Sequence, residues 1–343
     1  MTATLQFVGD DLIAFDHLAG YGAAAIAEAA GHKDVRLRWT DELDPRLEVD
    51  GVAWAELAAA VQAHAVAHTA ATSWVNADGP AGDALSGLFS PRVKGMASDQ
   101  LTRWYADRSA VLDQIDGPWQ SLDLAMVGSL GAPSYWSSDR GEPRPDYGAS
   151  RWEMKTRNRG EEFVGNRLRL LARSVAARTV DEVETGLRGT TIRDETGKDA
   201  ADSRTPTGLM PPSRVDNARA WCALWGISQF AVTPALAGAS HTVAHLGHHS
   251  GGYLFLPCMG RPWPLGRLRT VLRSSQLRAV ATSGLADAEV GRARIAADEI
   301  AIGWTWLLSR GVTSVVRFSV YHSDNKSAPE KWAERGERLT PGV

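Results

Sequence analysis

The stretch TLQFVGDDLIAFDHLAGYGAAAIAEAAG, residues 4–31, decides the fold class. Thr4 to Val8 alternates its side chains with the period of two that a strand requires. Asp10 or Asp11 then offers an oxygen to the free N–H groups of a helix that runs to about Ala30 and ends at Gly31. Outward from there, Val35 to Trp39 and Arg46 to Val49 alternate apolar with polar residues around an Asp-Pro turn and read as a hairpin. An Ala-rich helix over about Trp54 to Ala71 follows. Strand, helix, hairpin and helix in that order predict an α+β class, a mixed sheet with helices packed on one side.

Farther along, Asp99 to Ile115 is an amphipathic helix, and Gly131 to Gly148 is a Pro- and Gly-bearing connection. The C-terminal half is helix-rich: Glu161 to Arg178, Asp216 to Phe230, Leu265 to Arg278, and Ala286 to Arg310 with Gly311 as its stop. Thr190 to Ser213 is a long polar connection, Val312 to Tyr321 a final strand, and Pro329 to Leu339 a short polar helix. These textures divide the chain into an N-terminal α+β domain (1–135), a basic, loop-rich region with one helix (136–215), and a C-terminal helical region with a final strand (216–343).

A net charge of −3 over 343 residues excludes a protein that coats nucleic acid with its whole surface, so any basic site is local. Of the 37 basic residues only six are lysines. A GC-rich coding sequence accounts for such a bias as well as selection for the planar guanidinium that grips phosphate does. Two cysteines, Cys222 and Cys258, in apolar surroundings and without a CxxC pair, fit a reducing, cytoplasmic setting. The most apolar run near the end, Ile300 to Leu308, falls short of the roughly 20 residues that span a bilayer, and no membrane association is expected.

Seven cations fall within the twenty-three residues from Arg151 to Arg173. Arg151, Lys155, Arg157 and Arg159 share one face of an extended chain, and Arg167 and Arg169 follow on the next helix, the layout of a phosphate track. Glu153, Glu161 and Glu162 offer the competing reading of an ion-paired solvated face. Trp152, inside the stretch, could stack on an unpaired base. A second basic group spans Arg261 to Arg278, where Arg269 and Arg273 lie together opposite Leu265, Leu268 and Leu272. Arg204 stands in the Ser203–Gly208 loop among hydroxyls and backbone amides.

The enzymatic alternative is a metal-dependent hydrolase using His241, His245 and His248, which would share one helical face. Against it, no carboxylate lies in that cluster, no HExxH pattern occurs, and Gly247, Gly251 and Gly252 argue against a helix. No Walker loop or Gly-x-Ser-x-Gly elbow occurs either. No catalytic residue, cofactor or metal is therefore expected, and a protein–protein scaffold is the third reading.

Three segments carry a family likeness: Gly148 to Val164 (GASRWEMKTRNRGEEFV), Ser203 to Leu209 (SRTPTGL) and Asn217 to Gly226 (NARAWCALWG). In these the chain resembles a CRISPR-associated effector (Cascade) subunit of a type I system, subtype U/G-like. The resemblance implies an RNA-guided antiviral complex, in which base pairing reads sequence and protein holds backbone. The partners it implies are guide RNA or target DNA and other effector subunits.

Overall fold

The computed structural model describes residues 3–40, 44–81, 84–91, 98–131, 138–139, 142–143, 152, 163–203, 207–233, 241–246, 252–286, 295–324 and 330–342. The N-terminal part holds β1 (Thr4–Phe7), α1 (Ala14–Ala29), β2 (Arg36–Trp39), β3 (Leu47–Asp50) and α2 (Trp54–Ala67). Both β1 and β2 pair antiparallel with β3, giving the order β1-β3-β2. Leu5, Phe7, Leu37, Trp39, Leu47 and Val49 are buried, which sets the register, since a one-residue slip would turn this whole apolar set to solvent.

The start of α1 differs from the sequence expectation. Ile13 stands at the N-cap with no side-chain bond, because both aspartates are engaged elsewhere. Asp10 accepts from the N–H of Leu12, and the buried Asp11 receives Arg338 at 2.6 Å on each carboxylate oxygen. At the start of α2, Glu56 reaches back to the N–H of Ala53.

Next come the hairpin β4 (Asp78–Ala81) and β5 (Ala84–Gly87), then α3 (Ser98–Leu112), α4 (Gln120–Leu130) and the short pair β6 (Ser138–Asp139) and β7 (Glu142–Pro143). A π-helical stretch, Val164–Leu168, leads into α5 (Arg169–Ala176), followed by α6 (Val180–Leu187) and α7 (Asn217–Gly226). Thr179 and Glu182 form a reciprocal capping box on α6, and Asp216 caps α7 through the N–H of Ala218. The short strands β8 (Val232–Thr233) and β9 (His241–Thr242) pair with each other.

The C-terminal sheet is built on β10 (His245–Leu246), β11 (Tyr253–Met259) and, after helices α8 (Leu265–Leu272), α9 (Ser275–Ala281) and α10 (Ala297–Ser309), the long β12 (Val312–His322). β13 (Lys331–Ala333) and β14 (Glu337–Leu339) both pair with β12. Two expectations are corrected here. The helix read over Leu265 to Arg278 is two helices, because the Ser274 hydroxyl caps a fresh start by accepting from the N–H of Leu277. The polar helix read over Pro329 to Leu339 is instead, over its described residues, two short strands, held by pairing along β12 that outweighs local preference.

The α+β class stands. Every described strand pairing is antiparallel, so in place of the expected mixed sheet stand a three-stranded and a five-stranded antiparallel sheet with three two-stranded pairs beside them. β2 is tied to the segment between β11 and α8 where Leu37 and Trp263 exchange backbone hydrogen bonds of 2.9 and 2.8 Å. The three regions read from the sequence share one hydrophobic core: α1 packs along α7, and Phe15, Leu168 and Trp221 belong to the same buried cluster. Among the described residues no helix is long and apolar enough to cross a membrane.

Candidate anion site and a buried histidine cluster

Of the two basic groups read from the sequence, the first is only partly described. Arg151, Lys155, Arg157, Arg159 and Arg204 lie outside the described residues. Three described members are not exposed as a phosphate track requires. Trp152 is 1% exposed, edge-on to Phe230 and His245, so its indole is part of the core and unavailable to a base. Arg167 is also 1% exposed, because the π-helical stretch turns it inward, with its guanidinium 5.4 Å from the centre of the Phe163 ring. Arg169 is committed to structure, donating to the carbonyl of Val75 and to Asp78 at 2.7 Å.

The second group divides. Arg269 is half-buried and donates to the Gln229 side chain at 3.0 Å. Arg273, at the end of α8, is exposed and makes no ion pair with a described residue. The other face of α8 opens on a cavity of about 540 Å³ lined by Arg261, Arg267 and Arg310 together with Gly266, Thr270 and Ser309. No acidic side chain stands among its lining residues.

Backbone pairing assembles this cavity from distant parts of the chain. The N–H of Gly260 donates to Gly311 at 2.9 Å, and the Trp263 indole donates to the carbonyl of Arg310 at 3.0 Å. Gly311 takes a φ of +86°, and a side chain there would press on the stem of Arg261 at about 3.0 Å. The Arg310 guanidinium lies 3.6 Å from the centre of the Trp306 ring and donates to Ser309. Gly266 leaves open space beside the first turn of α8, whose N-terminal end carries partial positive charge. Three guanidinia and a helix N-terminus around one cavity suit an oxyanion such as phosphate, while the Thr270 and Ser309 hydroxyls already donate to the carbonyls of Gly266 and Trp306.

The histidine cluster read from the sequence is not helical. His241 and His245 lie on β9 and β10, two short strands separated by a turn, and His248 lies outside the described residues. His245 is buried, with Nδ1 2.9 Å from the carbonyl of Val243. The shared helical face on which the hydrolase reading rested is absent.

A different group comes together between α2 and α4. His64 and His68, one helical turn apart, and Asp123 are 0%, 2% and 6% exposed. A ring nitrogen of each histidine and a carboxylate oxygen of Asp123 lie within 4.8 Å of one another. His68 Nε2 is 2.8 Å from Asp123 Oδ1, and His68 Nδ1 is 2.7 Å from the carbonyl of His64, to which it donates. The Trp221 indole donates to His64 Nδ1 at 3.1 Å, while His64 Nε2 is buried without a hydrogen-bond partner. Burial, with the adjacent His68, holds the His64 ring well below the usual imidazole range. Trp74, Trp221 and Trp225 surround the His68 ring, and Trp119 closes on His64. The His-x-x-x-His spacing was visible in the sequence; its partner Asp123, on another helix, was not.

No protein-family model matches this chain, and no curated protein matches it.

Proposed function

We propose that this chain binds the phosphate backbone of a nucleic acid and performs no chemistry on it, with the Arg261, Arg267 and Arg310 cavity as the main grip and Arg273 beside it on α8. One observation carries the reading: three guanidinium groups from two separated segments line one open cavity with no carboxylate among its walls. Arginines tied into structure are normally matched by acids, as Arg178 is by Asp216 and Glu195. Arg261 and Arg267 are exposed and make no ion pair with a described residue. Guanidinium is the side chain best shaped for two-pronged contact with phosphate oxygens.

The setting follows from the likeness in residues 148–164, 203–209 and 217–226. There the chain serves as a subunit of a type I CRISPR effector complex, holding guide RNA or target DNA while base pairing supplies sequence specificity. Two measurements test the reading. Binding of a fluorescent single-stranded RNA should weaken at least about tenfold in the R261E/R267E double variant, since reversed charge repels phosphate. Tagged protein expressed from its native operon should bring down small RNA. Unchanged binding in the double variant would remove the cavity from the interface, and tagged protein free of RNA would remove the guide-complex setting.

A further inference from the structure

The cluster between α2 and α4 has no part in phosphate binding. Its composition is costly for a purely structural core: two imidazoles and a carboxylate, nearly dry, inside a wall of tryptophans. A buried N–H left without an acceptor, as at His64 Nε2, costs about 1–3 kcal/mol unless something satisfies the site. We propose that His64, His68 and Asp123 bind one first-row divalent metal ion, zinc foremost, joining α2 to α4.

Four observations converge on this reading. Two nitrogens and one carboxylate oxygen are the donor set of three-ligand zinc sites. The i, i+4 spacing puts both histidines on one face of α2. The His68 Nδ1–H bond to the His64 carbonyl leaves Nε2 as the nitrogen that faces Asp123, the outer-partner arrangement of metal-bound histidines. The remaining nitrogen of the cluster, His64 Nε2, is held in the interior with nothing to bond. Burial leaves little room for a substrate, so the ion acts as a structural joint with water as its fourth ligand.

The exchange balances without any change in oxidation state. The entering dication displaces the one proton held between His68 Nε2 and Asp123 Oδ1, which leaves to solvent. The His64 proton moves from Nε2 to Nδ1, and Nε2 takes the metal. Nδ1 then becomes a donor, so the Trp221 indole must give up its present bond and turn aside. Tetrahedral bonds of about 2.0–2.1 Å set ligand atoms about 3.3 Å apart, so the 2.8 Å pair of His68 Nε2 and Asp123 Oδ1 must open slightly while His64 draws in.

The test uses the full chain, stripped with chelator and titrated with zinc. Expected are one zinc per chain, release of one proton per zinc in buffers of differing ionisation enthalpy, and a shift of the Trp221 indole N–H resonance. His68→Gln and Asp123→Asn should each weaken zinc by at least the roughly 10- to 100-fold that loss of even an outer partner costs. Cobalt added to the unaltered protein gives a readout that needs no variant: an intense low-symmetry visible spectrum is expected. No stoichiometric zinc, zinc uptake undiminished in both variants, or a cobalt spectrum identical to that of the aqueous ion would each overturn the assignment.

Discussion

Gly22 on α1 lies so close to Cys222 on α7 that a Cβ at position 22 would stand 1.8 Å from the Cys222 carbonyl oxygen. The contact is reciprocal, since a Cβ at Gly226 would fall 2.2 Å from the carbonyl oxygen of Leu18. The two helices therefore cross backbone against backbone at Gly22 and Gly226, while Gly20 makes room for the Leu47 side chain. Each glycine costs the helix about 1 kcal/mol of propensity, which the close packing offsets.

Gly22→Ala should accordingly destabilise by about 3 kcal/mol or more, because backbone rather than a flexible side chain must yield. Gly128 on α4 is the control: nothing lies within 4 Å of where its Cβ would stand. There the alanine variant should gain roughly 0.5–1 kcal/mol. Urea unfolding of both variants decides the matter, and equal midpoints would refute the close crossing.

A second expectation concerns the buried pair of Arg178 and Asp216, joined at 2.8 Å with side chains 3% and 1% exposed. Asp216 also caps α7 and accepts from the N–H of Arg193. Removing it uncovers two backbone donors and part of a buried charge, although Glu195 still holds the guanidinium. Asp216→Ala should cost about 3 kcal/mol, near the low end for breaking a buried pair. Glu195→Gln, at the half-exposed partner, should cost about 1 kcal/mol or less. Comparable losses for the two in chemical denaturation would show that burial does not rank these contacts.

Much of the fold could be read from local pattern. Leu5 with Phe7, Leu37 with Trp39 and Leu47 with Val49 alternate cleanly because one face of the small sheet is buried. Gly31, at a φ of +95°, follows α1 as expected. Lys331 to Ala333 and Glu337 to Leu339 could not be read this way, since runs of three residues are too short to show a period and become strands only against β12. The anion site shows the same division. Arg261 and Arg267 lie in a basic run visible to inspection, but Arg310 reaches them only through the Gly260–Gly311 and Trp263–Arg310 bonds. Arg167 and Trp152 misled because charge and aromaticity in sequence carry no record of which way a side chain turns.

If the three cavity arginines are the principal phosphate contacts, the affinity for single-stranded nucleic acid should fall with a log–log salt slope near ~2, about 0.7 per neutralised phosphate. Arg261→Gln and Arg267→Gln should each flatten that slope by about 0.7. Arg269→Gln should leave it nearly unchanged, because that guanidinium is engaged by Gln229. Anisotropy titrations at several salt concentrations give the slopes directly. The same slope in all three variants would mean that the contacts are made elsewhere on the chain.

The last expectation is a pH dependence of stability centred on His17. This ring is fully buried against Trp39 and Phe318, with Nε2 2.7 Å from the carbonyl of Asp11. Burial lowers its pKa to about 4, from an ordinary value of 6.5. Between those values the unfolded chain binds a proton that the folded chain refuses, so protonation favours unfolding and stability falls as pH drops through the window. From pH 7 to pH 5 the loss from this one group is about 2 kcal/mol. His64, also lowered by burial, acts in the same direction. Glu182, held near a pKa of about 2 chiefly by the N–H of Thr179, loses its contribution only below its ordinary 4.5, outside this range. Urea midpoints measured at pH 7, 6 and 5 should therefore decline in the parent protein and decline less in His17→Gln, whatever that substitution costs at pH 7. Parallel curves for the two proteins would show that His17 does not carry the dependence.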